Sequence, residues 1–301
     1  MRTLNIIGCG KVGRTLARLW SEAHIFRVQE VANRTEESAE GAVNFIGAGR
    51  AAASVETMSP ADLWLVATTD GAIVPACRRL AQARKLRPGD IVFHPSGSLP
   101  SSECAFLREQ GAAVASVHPV KTVPDPKAAV ATFAGTYCAM EGDAAALSVL
   151  RPAFEAIGGR VFHVETTYKV IYHAASVFAC NYLTALMEVA LSCYEKAGLP
   201  REQALKVAEP LTRETVENLF RLGPVEALTG PVARGDVATV ERQLQALASW
   251  RGEMAELYRR LGAVAVTLAE RKGVAGPAAL ARLREVLDTP CGNGSAGMER
   301  K

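Results

Sequence analysis

The sequence predicts an α/β fold: a doubly wound, mostly parallel sheet in the N-terminal half, followed by an all-α helical domain. Three observations predict it. Short apolar runs alternate with helical stretches up to residue 164, a glycine-rich turn joins the first run to the first helix, and beyond Thr167 the strand pattern ceases. With 301 residues, 49% hydrophobic and 22% charged, the chain has ample material for a buried core and about two domains.

The first element is read from Thr3-Leu-Asn-Ile-Ile-Gly-Cys-Gly-Lys-Val-Gly13, which runs from a short strand into glycines. Arg14 to Ala23 then continues at helical spacing through Leu16, Leu19 and Trp20. Gly8 allows a tight turn, Gly10 lets the backbone approach a pyrophosphate, and Gly13 lets the helix pack closely on the strand. The helix N-terminus offers free N–H groups and a positive dipole to phosphates. Gly8, Cys9, Gly10, Lys11, Val12 and Gly13 are therefore candidate contacts to a dinucleotide. Phe26 to Ala32 reads as the second strand, and Asn33-Arg34-Thr35 stands at its end, where the adenine ribose belongs. A guanidinium with neighbouring amide and hydroxyl groups suits a 2′-phosphate, so NADP is expected over NAD.

Further strands are predicted at Leu63 to Thr68, Ile91 to His94 and Ala113 to Val117, separated by helical stretches. Ligands lie beyond the carboxyl ends of such strands. The residues there are Thr68, Thr69 and Asp70, then Pro95-Ser96-Gly97-Ser98, then His118-Pro-Val-Lys121-Thr122. Thr68, Thr69, Asp70 and Ser96 are expected beside the cofactor, His118 as an acid/base group and Lys121 as a substrate contact.

A last strand–helix–strand signal covers Gly135 to Met140, Ala144 to Ile157 and Arg160 to Val164. Long helices then run from Thr167 to Leu287, with breaks at Gly198 to Pro200, Leu222 to Pro224, Gly230-Pro231 and Gly273 to Pro277. The expected organisation is a nucleotide-binding domain over 1–165, a helical substrate and dimerisation domain over 166–289, and a flexible tail over 290–301. One helix over Thr167 to Lys196 places Lys169, His173, Ser176, Asn181, Thr184 and Glu188 on one side. Such a polar stripe lines a wet cleft or forms an internal hydrogen-bond network, and spacing alone leaves both open. Leu228-Thr-Gly-Pro-Val-Ala-Arg-Gly-Asp236 holds Arg234 at a turn, either an anion contact or an ordinary interhelical turn.

Composition narrows the function classes. The net charge of +3 comes from 34 basic and 31 acidic residues mixed along the chain, which predicts no nucleic-acid patch. Seven cysteines show no metal-ligand spacing, so no metal is expected and a reducing, cytoplasmic compartment fits. The first apolar segment begins at Leu4, leaving no room for a signal peptide, and Ala174 to Tyr194, interrupted by Asn181, Thr184 and Glu188, reads as a core helix rather than a membrane span.

Taken together, GCGKVG, NRT, HPSGSL, SVHPVKT, YHAASVFACNY and LTGPVARGD resemble bacterial Rossmann-like proteins with the C-terminal domain of unknown function DUF2520. These are similar to pyrroline-5-carboxylate reductase, the 6-phosphogluconate and β-hydroxyacid dehydrogenases, and the F420-dependent NADP oxidoreductases. The resemblance spans Leu4 to about Leu287 and implies a Rossmann-type domain, NADP and a homodimer paired through the helical half. One departure matters: β-hydroxyacid dehydrogenases place a catalytic lysine one turn before an asparagine, whereas Val177 precedes Asn181 here. His173, one turn further back, is an alternative acid/base group, and a lysine would have to be Lys169 or Lys121.

The expected activity is hydride transfer between NADPH and a small carbonyl or imine substrate bound between the domains. His118 or His173 donates the proton, because free imidazole titrates at about 6.5, and Asn181 and Arg234 position substrate. A non-catalytic NADP-binding sensor and a prephenate-type dehydrogenase share the same scaffold, and a deazaflavin hydride partner is also open.

Overall fold

The computed structural model describes residues 1–289; the expected tail at 290–301 lies outside the described residues. Two compact units divide after Tyr182. The first holds eight strands: β1 (Arg2–Ile7), β2 (Phe26–Ala32), β3 (Arg50–Ala52), β4 (Leu63–Val66), β5 (Ile91–His94), β6 (Ala113–Pro119), β7 (Tyr137–Gly142) and β8 (Arg160–His163). Its helices are α1 (Lys11–Glu22), α2 (Glu36–Ile46), α3 (Asp70–Gln82), α4 (Pro126–Ala131), α5 (Ala144–Ala156) and α6 (Lys169–Val177).

The strands form one sheet in the order β3-β2-β1-β4-β5-β6-β7-β8, parallel except where β7 runs antiparallel to β6. Because both faces are covered, the central strands read as continuous apolar runs whose alternate residues enter opposite cores. Leu4, Ile6, Leu63, Leu65, Ile91 and Phe93 meet α1 and α5 on one face. Ile7, Trp64, Val66 and Val92 meet α3 and the 3₁₀ helix Ser101–Gln110 on the other. The strand order reverses about the parallel β1/β4 pair, β2 and β3 lying to one side and β4 onward to the other, the switch point at which such sheets bind ligands.

The short edge strand β3 escapes the sequence pattern because Arg50-Ala51-Ala52 has neither length nor bulk to mark it. The first unit also extends past the boundary expected at 165/166. The reason is local: Lys169 is buried against β6 and β7, fastening α6 to the sheet.

The single helix expected over Thr167 to Lys196 is three pieces. A 3₁₀ turn (Thr166–Tyr168) precedes α6, and a π-helical turn (Phe178–Tyr182) separates it from α7 (Leu183–Lys196). A π turn takes in about one extra residue, which rotates the next helix by roughly 100° and breaks the predicted stripe. Lys169 is buried and His173 half-buried, but Asn181, Thr184 and Glu188 are exposed. Nor is this run a core helix. By length and composition Thr166–Lys196 could span a membrane, only 6% of its most apolar window is buried, and Val170, Ile171, Phe178 and Tyr182 are exposed.

The second unit continues from α7 through α8 (Arg201–Ala227), α9 (Gly230–Arg234), α10 (Val237–Trp250), α11 (Gly252–Lys272) and α12 (Pro277–Asp288). The predicted breaks fall where expected, including a kink at Gly223, whose φ of 79° no helix accommodates. Val240, Val266, Leu280, Leu283 and Leu287 form its main core, and Leu191, Ala204 and Ala208 join α7 to α8.

Candidate active site

At the switch point Gly8 stands at φ 75°, its N–H bonded to the Ala32 carbonyl at 2.8 Å, and a Cβ there would lie 2.3 Å from Thr68 Cγ2. A Cβ at Gly13 would lie 3.1 Å from Ala67, so helix and sheet approach closely at both glycines. Gly10 caps α1 without a side-chain hydrogen bond, and the first turn carries no acidic residue. The first intrahelical bond runs from Arg14 N–H to the Gly10 carbonyl, leaving the N–H groups of Lys11, Val12 and Gly13 facing outward from the helix end. This is an anion cradle of the kind a pyrophosphate fits.

Several predicted contacts are already spent on the protein itself. The Cys9 N–H donates to Asn33 Oδ1 at 2.5 Å, and the Asn33 amide donates to Ser38 at 2.9 and 3.0 Å, so Cys9 and Asn33 brace the loop rather than offering groups to a ligand. Burial pushes the Cys9 thiol up to about 12. Thr35 caps α2 by accepting from Ser38 N–H, the ordinary role of a threonine before a helix. Arg34 is exposed and has no hydrogen bond or ion pair among the described residues. Ser96 is buried, its Oγ accepting from the N–H groups of Ser98 and Leu99, which makes it the organiser of a tight turn. Asp70 accepts from Ser98 Oγ at 2.7 Å and ties α3 to that turn. Thr68 and Thr69 close β4 into α3, with Thr69 as the helix cap.

At the carboxyl end of β6 the structure joins two predicted residues, one on the strand and one on α6. His118 and His173 lie edge to face with ring centroids 5.6 Å apart, and a Cβ at Gly97 would come within 2.3 Å of His173 Nδ1 and 2.9 Å of His118 Cε1. The Ser96 turn thus drives the bare backbone of Gly97 against both imidazoles, and only glycine fits there. His173 Nδ1 is buried with no hydrogen-bond partner among the described residues. His118 Nδ1 pairs with the Tyr172 hydroxyl at 2.9 Å, a contact that the sequence patterns do not reveal. Burial, reinforced by His173 and Lys169, pushes the His118 imidazole down to about 4, so it is neutral at physiological pH. The expectation of a donor titrating near 6.5 is thereby corrected for His118: this ring holds one proton, not two. His94, just before this turn, is fully buried and pushed down to about 3 by burial and Lys169.

Beneath the histidines lies a buried ion pair. Lys169 Nζ donates to Glu141 Oε1 at 3.0 Å and to Ser116 Oγ, and Glu141 also accepts from Ser101 N–H at 2.8 Å, Ser101 Oγ at 2.7 Å and Thr166 Oγ1 at 3.0 Å. Ser116 and Glu141 are register partners across β6 and β7. Two periods interlock here. Ser116 and His118 share a face of β6 two residues apart, while Lys169 and Tyr172 are three apart on α6, so one helical turn of side chains meets one strand repeat. Burial draws the Lys169 ammonium down, with Glu141 offsetting part of this, and Lys169 is spent as an anchor.

The remaining predicted residues have these local surroundings. Lys121 donates to the Thr132 carbonyl at 2.9 Å and braces the end of α4. Asn181 is exposed in the π turn and makes no hydrogen bond to either histidine, and Arg234 is exposed at the end of α9 in the second unit. Asp236 accepts from Thr239 N–H and caps α10.

A glycine cradle at the switch point of a parallel sheet defines the first unit as a dinucleotide-type fold. Residues 2–119 match the Rossmann-like domain family and residues 136–265 match the domain of unknown function DUF2520, so the chain carries these two domains in tandem. No curated protein shows significant similarity to it. Among solved structures, a Bacteroides fragilis protein assigned as an NADP oxidoreductase is 24% identical, with a TM-score of 0.70 over 90% of this chain and 98% of that one. An imine reductase from Myxococcus stipitatus in complex with NADP+ is 20% identical, with a TM-score of 0.59 over 95% and 92% of the two chains. Pyrroline carboxylate reductase from Plasmodium falciparum with NADP bound is 13% identical, with a TM-score of 0.55 over 95% and 98%. At these identities the likeness is one of fold.

Proposed function

We propose that this chain is an NADP-dependent oxidoreductase that moves a hydride between the nicotinamide and a small carbonyl or imine carbon. The observation that carries the reading is the sharing of the strands' carboxyl ends by two devices: the glycine cradle after β1, against the end of β4, and the imidazole at the end of β6 paired with His173 of α6. Phosphates suit the outward N–H groups of Lys11, Val12 and Gly13, and the exposed Arg34 suits a 2′-phosphate. The cofactor, when bound, supplies the hydride; the chain orients it, keeps the reacting atoms close and manages a proton. The neighbours solved with NADP support the same reading. Stopped-flow loss of NADPH absorbance with a panel of 2-oxo acids, ketones, cyclic imines and a deazaflavin acceptor tests it, and binding without turnover of any probe would sink it.

Cofactor choice gives a sharper expectation. Arg34→Glu should weaken NADPH binding about 10- to 150-fold, the loss of one charge-assisted contact of about 1.5–3 kcal/mol, while leaving NADH nearly unchanged. Titration calorimetry with both cofactors reads this directly, and equal weakening would remove Arg34 from the 2′-phosphate site.

We also propose a homodimer covering the exposed apolar side chains of Val170, Ile171, Phe178, Tyr182 and Leu186. A second copy fits better than lipid, because α7 carries Glu188, ion-paired to Arg201 with further support from Glu195. Light scattering after size exclusion should give twice 32.0 kDa, and Phe178→Glu should halve that mass. A monomer across a wide concentration range would contradict the pairing.

A further inference from the structure

The Tyr172 hydroxyl has one hydrogen-bond partner among the described residues, His118 Nδ1 at 2.9 Å. Two arrangements of the protons are conceivable. If His118 Nδ1 carried the hydrogen, the Tyr172 O–H would be left without an acceptor; if the phenol donates, both groups are satisfied and the imidazole hydrogen must sit on Nε2. The second arrangement is the one that satisfies both groups, and the packing around them holds the contact in place. The Tyr172 ring is held edge-on by Phe162 at 6.1 Å and by His118 at 5.9 Å, and the Gly97 backbone stands close to His118 Cε1. Burial pushes the phenol up to about 12, so it keeps its hydrogen at physiological pH. His118 Nε2 has no partner among the described residues and is not among the buried orphan atoms, so it is the nitrogen this half-buried ring offers outward.

We propose that Tyr172 fixes His118 as an Nε2–H donor, and that the site therefore takes a carbonyl substrate, whose oxygen accepts that hydrogen bond. This rests on the oxidoreductase reading and narrows it. An iminium ion has no lone pair to offer an N–H donor, and a neutral donor suits an oxygen that gains negative charge as hydride arrives at carbon. In the reductive direction the new O–H bond forms as His118 Nε2–H breaks. Nδ1 takes the hydrogen of the Tyr172 hydroxyl; the resting state returns as Nε2 takes a proton from solvent and Nδ1 hands its hydrogen back to the phenolate, so each turnover consumes one solvent proton. Charge passes from an alkoxide to the far less basic phenolate, so the transfer runs downhill. Tyr172 acts through His118 and is a positioning residue.

The experiment has two arms. In the protein alone, long-range proton–nitrogen NMR of ¹⁵N-labelled histidines at neutral pH should show His118 with its hydrogen on Nε2, assigned by the loss of its signals in His118→Gln. Tyr172→Phe, which keeps the ring, should shift the Nδ1 resonance and release the tautomer preference. A wild-type His118 carrying its hydrogen on Nδ1, or a spectrum unmoved by Tyr172→Phe, overturns the proposal. In turnover with NADPH, ketone and 2-oxo acid probes should be reduced and a permanently charged N-methyl iminium probe should not. Tyr172→Phe should lower kcat about 100-fold with KM within about twofold and should change the solvent deuterium isotope effect, signs of a lost proton path rather than a lost fold. Reduction of the iminium by the wild type overturns the substrate assignment, and ketone turnover by Tyr172→Phe at the wild-type rate overturns the role of Tyr172. If no probe turns over, the oxidoreductase reading falls and the substrate assignment with it, while the NMR arm separately decides the Tyr172–His118 tautomer.

Discussion

Glu141→Gln should lower the stability of the first unit by about 3–5 kcal/mol, because it strands the Lys169 ammonium in a site where both side chains are almost wholly inaccessible. The glutamine fills the same space and keeps one acceptor oxygen for the Ser101 N–H, while its NH2 can donate to the Ser101 or Thr166 hydroxyl, so the loss reports mainly the unpaired charge rather than an emptied cavity. The double variant Glu141→Gln/Lys169→Gln should recover more than half of it, since two neutral amides no longer trap a charge. Urea unfolding monitored by fluorescence reads this: Trp20 and Trp64 are both buried in the first unit. Additive single and double effects would show that the pair is not coupled.

The same pair gives stability a pH dependence of definite sign. Burial alone would raise the Glu141 carboxyl, but the Lys169 ammonium and the Ser101 donors outweigh it and hold the group below its usual 4.5. Its contribution is therefore complete above the unfolded value and is lost as pH falls through the lower folded one. His94 and His118, pushed from 6.5 to about 3 and about 4, act in the same direction: the unfolded chain takes up protons first, and stability falls as pH drops from about 6.5 towards 4.

How much of this was legible in the sequence depended on whether the signal was local. The strands Phe26–Ala32 and Ile91–His94 were readable to the residue because sheets covered on both faces leave unbroken apolar runs. Gly8 and Gly13 were readable because close backbone approach tolerates almost no other residue. His118 and His173 could be placed at a strand end and on a helix, but not their clamp, since Gly97 reads as an ordinary turn glycine until the rings stand against it. Side chains such as Asn33 and Ser96 looked available because sequence shows a polar group without showing whether the backbone has claimed it. Glu141 was invisible: it lies 28 residues before Lys169, and only the β6/β7 register brings them together. The π turn erased the stripe that pointed to Asn181, since a helical wheel assumes a constant angle per residue. Tyr172 had one usable signal, its three-residue spacing from Lys169, which only becomes informative once Lys169 is known to be an anchor.

His118→Gln should lower turnover about 10²- to 10⁴-fold on a carbonyl that the wild type reduces, with NADPH affinity nearly unchanged. In the proposed reading the phosphates sit at the cradle after β1, which β4 and β5 separate from β6, so deleting the imidazole should not loosen the cofactor. Because the ring is already neutral, protonation around pH 4 and not around 6.5 should mark its titration in the wild-type profile. His173→Gln tests the other half of the pair. Its buried Nδ1, unpartnered against Gly97, gives it no internal bond to lose, so a fall in kcat with little change in melting temperature would place it at the reaction rather than in the scaffold. His24→Asn is the matched control, an exposed histidine in the turn after α1 at φ 54°, a conformation that asparagine also adopts. Wild-type turnover in both crevice variants, measured by NADPH oxidation beside that control, would remove the imidazoles from the chemistry. A collapse of their melting temperatures while His24→Asn stays unchanged would instead make them structural, and the Tyr172–His118 bond would then be one more brace between α6 and the sheet, like Lys169 on Glu141.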